Sequence, residues 1–438
     1  MSFETWKTVA LEDVLEAIID YRGKTPKKTN SGVPLITAKI VKNGVIQQAN
    51  EFISEKDYDS WMIRGFPKIG DVVLTTEAPL GEVAQLKNNK VALAQRIVTL
   101  RGKEKVLDNG FLKYFLMSSL GQSRLKEKES GTTVTGIKQS ELRRVKIDIP
   151  NFETQKVISK ILSSLDDKIE LNNAINKNLE EMAQALFKRW FVDFEFPNEN
   201  GEPYKSSGGE FEESELGLIP KGWKQGTISE LGEVAGGATP SKKNEDFYTV
   251  RGIPWITPKD LSKTNNKYIS RGEIDITQKG FSNSSVKLLP KGTVLFSSRA
   301  PIGYIAIAKN EVTTNQGFKS VIPFKHVGSE FVYYLLKSNV ETIECRASGS
   351  TFKEISGTEM KRVPVLIPTE NVLAKFNEIV EPIGRLTKKC EEENEDLTQI
   401  RDTLLPKLMS GEIRVPVEQD HNHPDLPKVA ESSAIYQP

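Results

Sequence analysis

The sequence predicts an α+β protein with two β-rich domains related by a pseudo-two-fold axis and separated by two long helices that form an antiparallel coiled coil. Three observations predict it. The chain repeats itself at an offset of about 218 residues. Each half opens with short β-branched runs set between Gly and Pro. Each half closes on a long stretch, glycine-free apart from Gly384, with apolar residues spaced three and four apart.

The repeat is carried by short phrases in one order. Trp6 matches Trp223, and Gly23-Lys24-Thr25-Pro26 matches Gly237-Ala238-Thr239-Pro240. Each of those phrases runs into a lysine pair, Lys27-Lys28 and Lys242-Lys243. Gly32-Val33-Pro34 matches Gly252-Ile253-Pro254, and Ala78-Pro79-Leu80-Gly81 matches Ala300-Pro301-Ile302-Gly303. Gln95 matches Gln316, and Ser130-Gly131-Thr132-Thr133 matches Ser348-Gly349-Ser350-Thr351. The offset drifts only between 214 and 222, so insertions are small.

Within each half the order of elements is the same. Asp71–Leu74 and Thr293–Phe296 read as strands, and short amphipathic helices follow around 111–121 and 330–339. The first long helix presents a seam through Ile158, Leu162, Leu165, Ile169, Asn172, Asn176, Leu179, Ala183, Leu186 and Trp190. The second presents Phe376, Ile379, Ile383, Leu386, Cys390, Glu393, Leu397, Ile400 and Leu404. Polar seam residues (Asn172, Asn176, Glu393) weaken packing but set register and partner choice. Pro382 lacks an amide hydrogen and is expected to kink or restart the second helix near its beginning. The expected domains are 1–150, a helical spacer 151–194, an acidic linker 195–222, 223–368, a second spacer 369–411 and a flexible tail 412–438.

The net charge of +1 hides segregation along this repeat. Residues 1–150 hold 24 basic and 18 acidic side chains, and residues 223–368 hold 20 and 13. The remaining segments are acidic, with nets of −1 (151–194), −5 (195–222) and −6 (369–438). About 35 helical residues span roughly 50 Å, more than one turn of B-DNA at about 34 Å. Two basic domains held apart by a stiff spacer suit a split site on one face of a duplex.

The chemistry the sequence lacks is equally informative. Gly23-Lys24-Thr25 resembles the end of a phosphate-binding loop, but Ile18 stands where its first glycine belongs. There is no Pro-Pro dipeptide, so the Asp/Asn-Pro-Pro-aromatic motif of amino-methylating enzymes is missing. Asp71 and Glu77 could suggest a nuclease pair, but Thr293 and Arg299 replace them in the second half. His421-Asn422-His423 lies in the Pro-rich tail, and His326 is the only other histidine, which leaves little room for a His-based triad. Cys345 and Cys390 are too few for a disulfide framework or a structural zinc site. No apolar run approaches the roughly 18 residues of a membrane span, and Met1–Ala10 lacks a signal pattern, so a cytoplasmic location is expected.

Taken in order, these phrases resemble a specificity (S) subunit of a Type I restriction–modification system. The resemblance covers the chain to about Val415. It rests on the duplication and on Ile149-Pro150 followed by Gln155 and Ile158, leading into Leu165-Asp166 and Ile169. It also rests on Gly222-Trp223 after Ile219-Pro220, and on Leu404-Leu405-Pro406-Lys407-Leu408-Met409-Ser410-Gly411-Glu412-Ile413. The second spacer departs from the pattern: it opens Pro368-Thr369-Glu370-Asn371 and lacks the counterpart of Gln155. The resemblance implies a non-catalytic subunit whose two target-recognition domains each read one half of a bipartite site in double-stranded DNA. It implies two modification (methyltransferase) subunits that bring S-adenosylmethionine, and restriction subunits that bring ATP-driven translocation and cleavage with Mg. No cofactor is expected in this chain. The rival readings are a stand-alone DNA methylating or cleaving enzyme and a coiled-coil adaptor without DNA.

Lys and Arg are expected on phosphates, and Arg, Lys, Gln, Ser and Thr on base edges. The candidates in the first half, from the lysine pair, the Ser130–Lys138 loop and the Gln95 phrase, are Lys24, Lys27, Lys28, Gln95, Arg96, Thr132, Thr133 and Lys138. In the second half they are Lys242, Lys243, Gln316, Ser350, Thr351 and Lys353. Residues particular to one half (Lys42, Arg64, Lys263, Lys267, Arg299) are the candidates for specificity. Exposed faces of the long helices, with Trp190 and Phe191 near one end, are expected to dock the modification subunits.

Overall fold

Alternation along one strand organises each half of the molecule. In the computed structural model, which describes residues 6–23, 25–131, 135–349 and 353–416, the chain divides into two compact units. One is built from the chain up to Lys168 and from Leu397 onward, the other from Ile169–Asp396.

In the first unit, Val72–Thr76 is an inner strand of an antiparallel sheet ordered Leu15–Asp20, Ile97–Gly102, Val72–Thr76, Leu80–Gln85. Successive side chains of a strand point to opposite faces. Val72 and Leu74 therefore enter one core with Phe111, Phe115, Ile158, Leu162, Leu405 and Leu408. Val73 enters a second core with Leu35, Ile53 and Met62, under a small sheet that contains the parallel pair Val33–Ile36 and Ala92–Leu93. Lys7–Ala10 pairs antiparallel with Lys146–Ile149 and so joins the beginning of the segment to its end.

The second unit repeats this plan. Its sheet is ordered Gly232–Gly236, Lys319–Pro323, Val294–Ser298, Ile302–Ala308, Tyr268–Ile269. Val294 and Phe296 face one core and Leu295 the other. Lys224–Thr227 closes against Pro364–Ile367. The turn after the inner strand is also shared: Ala78 and Ala300 have φ of 51° and 49°, each before a cis proline. Few residues with a Cβ adopt that left-handed region. The glycines that follow are favoured by the backbone, because Gly81 and Gly303 have φ of 96° and 102°, which side chains rarely adopt, and a Cβ on Gly303 would also lie 2.9 Å from Val340 Cγ1.

The long helices are Phe152–Phe191 and Glu370–Met409, 40 residues each. Gln155 closes the turn before the first helix, accepting from the Asp108 amide (2.9 Å) and donating to the Val106 and Pro150 carbonyls (3.0 Å each). Buried Leu373 follows the corresponding turn in the second half. In the second unit Asn172 donates to Glu393 Oε2 (2.8 Å) and Asn394 Oδ1 (3.0 Å), while the Trp190 ring meets Phe376 at 5.8 Å. The two helical segments of that unit therefore pass in opposite directions.

Three expectations are corrected. The second helix does not restart at Pro382, which is exposed, as is Glu378, the residue whose carbonyl loses its amide partner. Ile379, Leu386 and Ile400 are 44–47% exposed. Phe376 and Cys390 of the expected seam are buried, but the rest of the buried face passes Val380, Thr387, Glu391 and Leu405. A straight helix drifts about 20° per heptad from a 3.5-residue repeat, so a strict heptad rotates off the core over this length. Trp190 and Phe191 are buried with Phe187, Phe331 and Phe376, and Phe191 also stacks towards Trp223 (5.8 Å). They form core rather than a docking face. The acidic linker is ordered around the same cluster, with Phe196 stacked between Tyr204 (4.6 Å) and Trp223 (5.0 Å).

Each unit ties its short helix to the long helices through a buried charged cluster. In the first, Asp166 accepts from Lys113 Nζ (2.8 Å), the Tyr114 hydroxyl (2.7 Å) and Arg401 Nη1 (2.9 Å). Burial acts to raise its pKa, but these three donors outweigh it and hold the carboxyl below its ordinary range. In the second, Glu180 accepts from Tyr334 (2.7 Å) and Lys337 (2.7 Å), and buried Lys267 reaches Glu330 and the Tyr334 hydroxyl. Glu391 accepts from the Lys267 and Tyr268 amides (2.6 and 3.1 Å). Burial dominates there and pushes its carboxyl up to about 7, against the opposing pull of those two amides and Lys309.

Two predictions follow from these ties. Asp166→Ala leaves Lys113 without a carboxylate and Arg401 with Asp402 alone, and should cost about 3 kcal/mol in urea unfolding. Glu391 holds its proton in the folded state at pH values where the unfolded chain, at about 4.5, has released it. The native state then binds more protons, so stability should fall as pH rises from about 4.5 to 7, by up to roughly 3 kcal/mol. Glu391→Gln should flatten that slope in unfolding curves recorded between pH 5 and 8.

Candidate nucleic-acid interface

The same loop cluster forms at the end of the inner strand in each unit. In the first, the strand runs into Glu77, which pairs across a single bridge with Gly136 of the loop that begins at Ser130. The approach is close enough that a Cβ on Gly136 would lie 2.8 Å from the Thr76 carbonyl oxygen. Arg96 Nε meets Glu77 Oε1 at 3.0 Å, and the Thr76 amide donates to the Arg96 carbonyl at 3.0 Å. The Thr25 hydroxyl reaches Gln95 Oε1 at 3.4 Å. Arg22 binds Asp20 and donates Nη1 to the Ile137 carbonyl (2.7 Å), joining the Gly23 turn to the same loop.

In the second unit, Arg299 bridges to Glu354, and its Nη1 meets Glu354 Oε2 at 3.1 Å. Lys319 Nζ meets the other oxygen of that carboxylate at 3.4 Å. The Thr239 hydroxyl donates to Gln316 Oε1, the counterpart of the Thr25–Gln95 contact. The Ile355 amide donates to the Ser298 carbonyl (3.1 Å), laying the loop that starts at Ser348 over the strand end.

The structure therefore brings Gln95 and Arg96 together in one unit, and Arg299 and Gln316 in the other. Lys27, Lys28, Lys42, Lys138, Lys242, Lys243, Lys263 and Lys353 are exposed. Of these, Lys28 pairs with Glu51 (2.8 Å) and Lys263 with Glu273 (2.5 Å). Arg64 is turned onto the Asp20 and Arg22 carbonyls (2.8 and 2.9 Å) and braces the start of the Gly23 turn. Lys267 is a correction: at 5% exposure, committed to Glu330 and Tyr334, it belongs to the helix tie and not to a surface. Lys24, Thr132, Thr133, Ser350 and Thr351 lie outside the described residues, as does His421-Asn422-His423.

Sequence reasoning missed Glu77 as an interface residue and did not find Lys319 or Glu354. Aligning the halves was the available signal, since it sets Glu77 against Arg299. Chemically, each cluster offers a guanidinium, a carboxamide and hydroxyls on half-exposed loops, the groups that bond phosphates and base edges. Among the described residues, no group of three or more His, Cys, Asp or Glu is placed to hold a metal ion. No described helix is long and apolar enough to cross a membrane.

Comparison with known proteins agrees with this repeat. A family profile described as "Type I restriction modification DNA specificity domain" matches twice, over residues 3–181 and 220–400. The chain is 45% identical over 193 residues to the MjaIX Type I restriction enzyme specificity subunit of Methanocaldococcus jannaschii, a match covering 44% of each chain. It therefore spans less than half of that relative's length. It is 29% identical over 360 residues to the HindI specificity subunit of Haemophilus influenzae, covering 70% of this chain and 76% of that one. The fold resembles the crystal structure of a Type I restriction–modification S subunit from M. genitalium, with a TM-score of 0.60 at 18% identity over 93% of this chain and 97% of that one.

Proposed function

Because the chain belongs to the family of Type I restriction–modification DNA specificity domains, we infer that it is the subunit that reads the DNA target of such a complex. Each unit reads one half of a bipartite site in duplex DNA, and the chain performs no chemistry itself. The observation that carries this reading is the duplicated loop cluster: one scaffold holds two sets of half-exposed hydrogen-bonding groups, on segments with nets of +6 and +7. Basic side chains around each cluster supply the salt-sensitive attraction to phosphate, and the loop residues supply selectivity.

The two long helices act as an antiparallel coiled-coil spacer that sets the distance between the half-sites. The opposite directions of the helical segments in the second unit support that geometry. Exposed Leu171, Met182, Ile379 and Leu386 suit the docking of two modification subunits, which bring S-adenosylmethionine. Restriction subunits bring ATP and Mg. The family match does not favour a stand-alone enzyme or an adaptor without DNA.

The complex of this chain with its modification subunits should bind duplex DNA selectively, with affinity that falls steeply as salt rises from 50 to 200 mM. Filter binding against competitor DNA checks this, and binding without sequence preference would contradict it. Inserting four residues, about 6 Å of helix, in the middle of either long helix should lengthen the unread gap by about two base pairs. Sequencing of methylated sites should show both half-site sequences unchanged.

A further inference from the structure

The two loop clusters share a scaffold but differ in one reciprocal exchange. At the residue before the Ala-Pro turn, the first unit has Glu77 and the second has Arg299. Glu77 finds its partner on one side, in Arg96 at the start of the neighbouring strand (3.0 Å), while the loop on the other side supplies only Gly136. Arg299 finds its partner on the opposite side, in Glu354 of the loop (3.1 Å), while Gly317 takes the position of Arg96. Each unit thus holds one guanidinium–carboxylate pair beside the shared glutamine, with its polarity reversed and a glycine in the unused place.

The exchange leaves the local charge of each pair at zero. The exchange itself therefore leaves the general attraction to phosphate unaltered, while Lys319, 3.4 Å from the other oxygen of Glu354, adds a positive charge to the second cluster. What it moves is the guanidinium, from the start of one strand to the end of its neighbour. Both guanidinium side chains remain accessible, at 50% for Arg96 and 37% for Arg299. A carboxylate on one edge of a guanidinium fixes its plane and lowers the entropy lost when the other edge binds. The base edge that matches a forked donor is guanine, with O6 and N7 both accepting in the major groove.

Resting on the assignment of this chain as the DNA-reading subunit, we propose that Arg96 and Arg299 each read a guanine, one in each half-site, and that Glu77 and Glu354 are the positioning residues that aim them. Because the two guanidinium groups stand at different places on one scaffold, the guanines occupy different positions within the two half-sites.

The test uses the full chain with its modification subunits and a library of duplexes randomised at the target. Methylated products are sequenced, and binding is measured on the preferred duplex. The unaltered complex is the control: if it shows no sequence preference, the parent assignment fails, and this proposal is not what has failed. Given a preference, Arg299→Ala should relax one guanine position of one half-site and lower affinity about 5- to 150-fold, roughly 1–3 kcal/mol. The other half-site should be unchanged. Arg96→Ala should do the same in the other half. Glu354→Gln should weaken binding while the preference for guanine persists.

The double exchange Arg299→Glu with Glu354→Arg, made together with Lys319→Gln so that the new guanidinium does not face the lysine now 3.4 Å from Glu354, keeps an ion pair and so separates reading from fold support. Thermal unfolding should be close to that of the unaltered chain, while the preferred base or its position changes. Uniform weakening of all sequences by Arg299→Ala, or restoration of the original preference by the double exchange, would overturn the proposal.

Discussion

Carboxylates packed between the β-rich sheets and the long helices are the constraint on which the rest depends. A loop can only present donors to a partner from a fixed place if its sheet is fixed to the spacer. In the first unit Asp166 does this, gathering Lys113 and Tyr114 from the short helix and Arg401 from the second long helix. Ionised groups taken out of water are costly, and the cost is offset only when each lone pair and proton finds a partner in good geometry. That requirement makes the junction specific in direction as well as strong. A purely apolar junction could slide by a helical turn, whereas three donors on one carboxylate cannot.

The second unit solves the same problem with the parts exchanged. Gly384 stands at the place on the second long helix that Asp166 holds on the first, each fourteen residues from its helix start. A Cβ there would lie 2.4 Å from the Tyr268 hydroxyl and from Glu330 Oε1. The carboxylate comes instead from the short helix, where Glu330 replaces Gly110. Gly110 in turn packs closely on Ser159: a Cβ there would lie 3.2 Å from Ser159 Cβ and would force its hydroxyl, at 1.9 Å, to rotate away. The loop clusters show the same habit in Glu77 with Gly136 and Arg299 with Gly317. After duplication, side chain and glycine can trade places across a contact, keeping the contact while changing which element supplies it.

Much of the fold was legible because it is periodic. Alternation placed the inner strands, the Gly and Pro phrases bounded them, and the repeat showed that whatever one half adopts the other adopts too. Leu386 and Ile400 were misassigned to the seam because a three-and-four spacing does not reveal how far a helix rotates over forty residues. Trp190 and Phe191 looked available for a partner because a sequence does not show that Phe331, Phe376 and Trp223 converge on them. Lys267 looked like a surface charge because its partners, Glu330 and Tyr334, lie more than sixty residues away.

The sequence by itself determined the duplication, the strand-rich and helical segments, the segregation of charge, and the family resemblance. Each of these is a property of local composition or of self-comparison, and needs no knowledge of which residues meet. Only the tertiary structure decided which charges are spent inside the protein and which remain at its surface. It also decided that Glu77 pairs with Arg96 while Arg299 pairs with Glu354. Those outcomes depend on distances of about 3 Å between residues 19 and 55 positions apart, and which distant residues meet in hydrogen-bonding geometry is set by the fold and not by any spacing along the chain.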